Sequence, residues 1–245
     1  MTGEKPGAAV LAGTAAFTFG AGLVTLVDTV QNRRNTVQLP PELMYADVFP
    51  QNTTAVLFGS GFGRTMKLNE QFEVVSAWLD GKKNGGLVLD ADAFYYTDIC
   101  TFLEKSAARW PEARLILTPH PKEFQSLLSL CGESVPDIDG IVNSRIELTA
   151  LFEKRFPNIV LVLKGANTII AEAGKLYIST EGCVSLAKAG SGDVLAGMIC
   201  SLLAQGYSAG EAARSGVLAH GIASQQFGSS FGMTQIGRAS CRERV

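Results

Sequence analysis

The chain has 245 residues, enough for one large domain or two small ones around a real apolar core. Hydrophobic residues make up 47% and charged residues only 18%, with 21 Lys and Arg against 23 Asp and Glu for a net charge of −2. That balance gives no electrostatic reason to bind nucleic acid or an anionic membrane. Five cysteines (Cys100, Cys131, Cys183, Cys200 and Cys241) are scattered and odd in number, with no Cys-x-x-Cys or His-x-x-His spacing. Neither a disulfide framework nor a zinc site is indicated, and a reducing cytoplasm fits best.

Residues 7–27 carry no charge, which raises a membrane span or a signal peptide. The composition argues against both, because Gly7, Gly13, Gly20 and Gly22 interrupt the run and Leu11, Leu23 and Leu26 are its only leucines. A helix over about residues 8–19, a Gly-Ala-Gly turn and a buried strand over 23–27 read better. Residues 28–54 are polar with Pro40-Pro41, a loop with room for a short strand. The apolar run 55–58 then feeds Gly59-Ser60-Gly61-Phe62-Gly63 and a helix over about 67–80. A strand, a glycine loop and a helix place a ligand at the strand's C-terminal edge. The spacing matches neither the P-loop nor the dinucleotide fingerprint, and a plain structural turn is the alternative. Leu87-Val88-Leu89 leads into Asp90-Ala91-Asp92-Ala93, where carboxylates two apart on a strand end share a face. They suit Mg²⁺ held through water or a ligand hydroxyl; equally, one of them caps the helix that follows.

The strand 114–117 runs into Thr118-Pro119-His120-Pro121-Lys122-Glu123, and Pro121 suits the first position of the next helix. His120, one of two histidines, sits on a loop at a strand's C-terminal end, where a lone His is more often structural than functional. A helical stretch ends near Phe156, and the strand 159–163 opens onto Lys164-Gly165-Ala166-Asn167-Thr168. A Lys at such an edge followed by Gly suits a phosphate or nucleotide. Residues 169–173 and 175–179 alternate around Gly174 like a hairpin.

Ala187-Lys188-Ala189-Gly190-Ser191-Gly192-Asp193 is a Gly-rich turn running straight into Val194, Leu195, Met198, Ile199, Leu202 and Leu203, one face of a helix that Gly206 stops. The N–H groups of Ala189, Gly190, Ser191 and Gly192 therefore form an anion hole at a helix N-terminus. Asp193 is either the N-cap or a base. A carboxylate facing a phosphate repels it, unless it takes a proton from the group that attacks. Ser208-x-x-Glu211 is a capping box opening a second helix with Ala212, Ala213, Gly216, Ala219 and His220. The basic stretch 236–245 has no apolar periodicity and reads as a vector or reading-frame scar. Strands alternating with helices, with ligand signals at the strand ends, predict a three-layer α/β fold around a mostly parallel central sheet.

The wording Ala187-Lys188-Ala189-Gly190-Ser191-Gly192-Asp193-Val194-Leu195-Ala196-Gly197-Met198 resembles the GSGD segment of the NAD(P)H-hydrate dehydratases, a branch of the ribokinase-like superfamily. Other matches fall in the family's order: Gly7-Ala8-Ala9, the segment 20–25, Pro41-Glu42-Leu43-Met44, the loop 59–63, Leu89-Asp90-Ala91-Asp92-Ala93, the segment 117–124 and Leu163-Lys164-Gly165-Ala166. In the glycine loop Ser60 stands for the family's Pro and Phe62 for its Leu, and the family's usual Asn and Pro are lost between Gly182 and Ala187. The resemblance implies a ribokinase-like domain over residues 1–235, lacking the family's first strand, with Met1 an internal methionine of a longer parent and 236–245 a non-native tail. It implies ADP-dependent (in bacteria) or ATP-dependent dehydration of the hydrated cofactor NAD(P)HX, by phosphoryl transfer to the C6 hydroxyl and loss of phosphate. By the same resemblance Asp193 is the catalytic base, Ala8, Gly63, His120 and Asp193 contact NAD(P)HX, and Lys164, Gly165, Ala166, Asn167, Thr168 and Gly192 contact the nucleotide. Mg²⁺ is expected as cofactor without a dedicated protein site, and a cytoplasmic homo-oligomer, a tetramer among the forms considered, is expected as the assembly. A vitamin-precursor kinase of the same superfamily and an inactive nucleotide-binding fragment are the alternatives.

Overall fold

Strands covered on both faces need apolar side chains at every position, and the short Val, Ile and Leu runs of this chain meet that need. A computed structural model of the protein describes residues 1–28, 38–64 and 67–226. In it β1 (Val24–Val27) and β2 (Leu43–Ala46) form a parallel pair of their own. A separate six-stranded sheet takes β3 (Ala55–Phe58), β4 (Gly86–Leu89), β5 (Arg114–Leu117), β6 (Ile159–Leu163), β7 (Ile169–Glu172) and β8 (Lys175–Ile178) in sequential order. Its first four strands are parallel and its last two antiparallel. The β7–β8 turn uses Ala173 at φ 48° and Gly174 at φ 76°, the double left-handed geometry that two-residue hairpins favour.

Alternation along each strand divides the interior into two cores. Leu87, Leu89, Leu115, Leu117, Leu161 and Leu163 join one of them. It lies under α2 (Lys67–Asp80), α3 (Ile99–Arg109), α4 (Pro121–Leu130), α5 (Ile138–Asn143) and α6 (Arg145–Arg155). Val88, Ile116, Val160, Val162 and Ile170 join the other, under α1 (Pro6–Thr18), α7 (Ser191–Ala204) and α8 (Ala209–Gln225). The outcome is the expected three-layer α/β architecture. A Cβ on Gly197 would collide with the backbone of Ala12, so the α1–α7 crossing depends on that glycine.

Helix ends follow the local chemistry. Gly206, at φ 94°, takes the left-handed position after α7. Ser208 and Glu211 form the capping box of α8. Leu23 lies outside β1 and is 69% exposed, so that strand is one residue shorter than the expected 23–27. Among the described residues no helix is long and apolar enough to cross a membrane, and the uncharged run 7–27 folds as α1, a turn and β1. The stretch 236–245 lies outside the described residues.

Candidate active site

The C-terminal ends of parallel strands converge on the N-terminus of α7, the arrangement in which open α/β sheets receive ligands. Asp90, directly after β4 and 1% exposed, is the hub. Its Oδ1 accepts from Thr118 Oγ1 at 2.8 Å and from Lys164 Nζ at 2.7 Å, and its Oδ2 accepts from Ser60 Oγ at 3.1 Å. One buried carboxylate thus ties together the loops after β3, β5 and β6. Lys164 Nζ also lies 3.6 Å from Glu123 Oε2. Burial works against its charge, but Asp90, Glu123 and Asp193 outweigh that and hold its pKa above the ordinary lysine value. A Cβ on Gly192 would sit 3.3 Å from Lys164 Nζ, which places the ammonium over the first turn of α7.

Asp193 is the third residue of α7. Burial and then the charge of Asp90 push its carboxyl up to about 6, while Lys164 and a hydrogen bond from Ser60 pull the other way. The N-cap reading of Asp193 is corrected, because the cap residue is Gly190 at φ 86° and no side chain caps the helix start. A left-handed entry suits glycine, so the turn places Asp193 inside the helix. Of the four residues expected to form the anion hole, Ser191 spends its N–H on Lys188 O at 3.1 Å, and its Oγ lies 3.4 Å from His220 Nε2. Ala189, Gly190 and Gly192 complete the turn.

Asp90 and Asp92 are not on a strand end as expected, because β4 stops at Leu89. Ala91 takes φ 51° and starts a 3₁₀ turn (Ala91–Tyr95), and the charges of both carboxylates still bear on Asp193. Asp92 accepts instead from Gly63 N at 2.9 Å and Arg64 Nε at 3.2 Å, with the Arg64 guanidinium 3.4 Å over the Tyr95 ring. Asp90, the residue before that turn, makes no capping bond with its side chain. Among the described residues no group of three His, Cys, Asp or Glu side chains could hold a metal ion. With the Asp90 oxygens already engaged, the residues present do not make a Mg²⁺ site.

His120 is the N-cap of α4. Its Nδ1 accepts from Lys122 N at 3.1 Å and Glu123 N at 3.2 Å, while its backbone N–H donates to Glu123 Oε2 at 2.8 Å. Burial, reinforced by Lys164, lowers the pKa of the ring, consistent with a neutral imidazole whose Nδ1 lone pair caps the helix. Its Nε2 lies 3.1 Å from Glu123 Oε1. Burial raises Glu123 to about 7.

The remaining expected residues fall in two separate segments. Ala8, in the first turn of α1, abuts the glycine loop so closely that a Cβ on Gly61 would fall 2.8 Å from its own. Gly63, at φ 96°, lies in the same loop. Residues 165–168 form a bend after β6, where Arg145 donates to Asn167 O at 3.3 Å, Asn167 Nδ2 to Ser179 O at 3.2 Å and Thr168 Oγ1 to Gly165 O at 3.4 Å. Ala166 is exposed within it. Sequence reasoning missed Ser60, Thr118, Glu123 and Arg145. Thr118 and Glu123 stand in the matched segment around His120, and Ser60 marks a departure from the family wording, so each carried a signal; Arg145 carried none.

A family model described as NAD(P)H-hydrate dehydratase matches residues 2–242. The bifunctional NAD(P)H-hydrate repair enzyme Nnr of Helicobacter pylori is 37% identical over 237 residues, covering 96% of this chain and 47% of that protein. The ADP-dependent (S)-NAD(P)H-hydrate dehydratase of Neisseria meningitidis serogroup B is 39% identical over 151 residues, covering 60% of this chain and 47% of that protein. The chain therefore spans about half the length of the curated relatives it matches. Among solved structures, the ADP/ATP-dependent NAD(P)H-hydrate dehydratase from Bacillus subtilis, co-crystallised with ATP/Mg²⁺, superposes with a TM-score of 0.77 at 26% identity, over 100% of this chain and 86% of that one. A ribokinase-like superfamily protein from Enterococcus faecalis, at 22% identity and a TM-score of 0.75, shares the fold. The chain belongs to the NAD(P)H-hydrate dehydratase family.

Proposed function

We propose that this chain is an ADP-dependent (S)-NAD(P)H-hydrate dehydratase that repairs NAD(P)HX to NAD(P)H, with ATP as the alternative phosphoryl donor. The observation that carries the reading is Asp193, in the first turn of α7 beside Lys164, Ser60 and Asp90, with its carboxyl poised at about 6. Such a group is mostly ionised at neutral pH yet basic enough to take a proton, the compromise general-base catalysis needs. Asp193 takes the proton of the C6 hydroxyl as that oxygen attacks the terminal phosphorus of the nucleotide. The shortened nucleotide leaves, and the helix N-terminus offsets the charge on the phosphate as it passes. Loss of phosphate from C6 with a proton from C5 then restores the ring double bond.

Ala8, Gly63 and His120 border the side assigned to NAD(P)HX. Lys164, Gly165, Ala166, Asn167, Thr168 and Gly192 border the side assigned to the nucleotide, with Ala189, Gly190 and Ser191 framing the turn between. Lys164 is the hinge of this division, because its ammonium already answers Asp90. Mg²⁺ remains the expected cofactor, and the residues described would not hold it on their own. The domain spans residues 1–235, with 236–245 outside it. Cytoplasmic location and homo-oligomeric assembly belong to the same reading. Exposed Val184 and Leu218, which offer apolar surface for a neighbour, support the second.

The deciding experiment supplies NADHX and NADPHX with ADP or ATP and follows nicotinamide absorbance together with inorganic phosphate. Restored cofactor with matching phosphate release is the expected result. A stable phosphorylated product without phosphate release would make the chain a kinase, and nucleotide binding without turnover would make it an inactive binding module.

A further inference from the structure

At the end of α4 away from His120, three helices meet around two thiols. Cys100 is the second residue of α3, Cys131 is the C-cap of α4 and Arg155 is the last residue of α6. The ten residues of α4 put about 15 Å of helix between this cluster and the His120 cap, so it lies apart from the site described above. One guanidinium holds both cysteines. Arg155 donates through Nη2 to Cys100 Sγ at 3.3 Å and through Nη1 to Cys131 O at 2.7 Å. The two side chains also hydrogen-bond to each other, thiol to thiol. Both cysteines are free.

The two sulfurs are not equivalent. Cys131 is 7% exposed, whereas Cys100 is half-buried and reachable by a small solute. Cys100 Sγ donates to Glu104 Oε1 at 3.4 Å, and Arg155 in turn holds Glu104 at 2.8 Å and Glu133 at 2.6 Å. A nucleophile beside a base, with the base oriented by a third group, is the arrangement that activates a side chain. The start of α3 and the Arg155 guanidinium both favour a thiolate at Cys100. Burial opposes them and raises both thiols, with the Glu104 charge adding to it. The pair therefore rests protonated and reacts through a small thiolate population at Cys100.

We propose that Cys100 and Cys131 form a reversible thiol-oxidation site, in which a hydroperoxide oxidises Cys100 and Cys131 closes the disulfide. Glu104 takes the Cys100 proton, and the thiolate attacks the terminal oxygen of the hydroperoxide. The O–O bond breaks, and the departing oxygen leaves as an alcohol, or as water from hydrogen peroxide, with the proton from Glu104. Cys100 is then a sulfenic acid. The Cys131 sulfur displaces its hydroxyl, the S–O bond breaks as the S–S bond forms, and water leaves with the Cys131 proton. Two thiols lose two electrons and the peroxide gains them. The disulfide staples the start of α3 to the end of α4 and closes a loop of about 30 residues, which restricts the unfolded chain. A dithiol reductant reverses it by exchange.

The test treats the folded, reduced chain with hydrogen peroxide and follows intact mass, thiol count and peptide maps. Loss of two hydrogens and two thiols, with a Cys100–Cys131 cross-linked peptide, is the expected result. The melting temperature should rise by roughly 5 °C or more and return on adding dithiothreitol. The rate should climb about tenfold per pH unit below the Cys100 pKa, since only the thiolate reacts. Cys131→Ser should stop at a sulfenic acid on Cys100 that a cyclic diketone captures, and Cys100→Ser should leave Cys131 reduced. An unchanged mass in the unsubstituted chain would overturn the proposal, as would a cross-link through another cysteine or between two chains. Oxidation of Cys131 in Cys100→Ser would overturn the assigned order. The peptide map of the unsubstituted chain decides the pairing even where a variant fails to fold.

Discussion

The ends of β4, β5 and β6 and the open edge of β3 belong to one sheet, yet they are completed to different degrees. At the first, Asp90 holds the loops after three other strands by bonds to Ser60, Thr118 and Lys164. At the second, Met1 and Thr2 bridge β1 and β3. The segment continues as Glu4 and Lys5, whose N–H groups donate to Phe62 O and Gly61 O, so the glycine loop is braced from the open side. Chemistry and loop placement are therefore separable here. Changes at the Asp90 cluster should alter rate and pH dependence, and changes along the open edge of β3 should alter stability and the placement of Ala8 and Gly63.

The largest separation is expected from Asp193→Asn. Removing a general base lowers turnover by about 10²–10⁴-fold. Stability should hold or rise, because Gly190 rather than Asp193 occupies the cap position and a buried negative charge beside Asp90 is removed. Phosphate-release kinetics and a thermal melt on the same preparation check both halves. Full activity would strip Asp193 of its chemical role and leave the cluster without a base.

Lys164→Met comes next. Asp90 is almost wholly buried and Glu123 largely so, and taking away the cation they share leaves charge without compensation, worth about 3–5 kcal/mol. The Asp193 carboxyl should rise further, since Lys164 is the larger of the two groups that lower it. Nucleotide binding should weaken more than binding of the hydrated dinucleotide. Adding Asp90→Asn should recover part of the lost stability. A single mutant of unchanged stability, with both ligands weakened alike, would remove Lys164 from the cluster and from the nucleotide side.

What the sequence revealed and what it hid divide along the same line. Strands β3, β5 and β6 begin and end where the apolar runs meet turn residues, because burial on both faces leaves a continuous signal. The split of the sheet has no such local signal, since it depends on what lies beside β1 and β3. The extended strand end expected at Asp90 and Asp92 gives way at Ala91, a non-glycine residue in the left-handed region that local preference disfavours. The cap assigned to Asp193 failed because the sequence does not disclose that Gly190 enters the helix left-handed. Ser60 and Lys164 meet Asp90 across 30 and 74 residues, distances over which spacing carries no message.

A smaller effect is expected from Glu123→Gln. Burial raises this carboxyl from 4.5 to about 7, so the folded state favours its protonated form. Its contribution to stability is fully present below about pH 4.5 and is lost as pH rises through about 7. Gln does not titrate and its amide oxygen can still accept the His120 N–H. Melting temperatures between those two pH values should therefore fall less steeply in the mutant. An unchanged slope would mean that Glu123 is ionised throughout.

The smallest change concerns His120, where two roles coincide in one ring. The capping role is visible in the Nδ1 bonds to Lys122 N and Glu123 N, and the ligand role rests on the position of His120 at the end of β5 beside Lys164. Loss of a helix cap costs about 0.5–2 kcal/mol, so His120→Ala should lower stability by roughly 1 kcal/mol while also raising KM for the hydrated dinucleotide. His120→Asn separates the two effects. Asn is among the strongest caps and its side-chain oxygen can accept the same backbone N–H groups, so stability should return. It lacks the ring that would border the nicotinamide, so KM should stay high. Recovery of stability alone makes His120 both cap and substrate contact. Recovery of stability and KM together would leave it a cap only, and the NAD(P)HX side of the site would then rest on Ala8, Gly63 and Asp193.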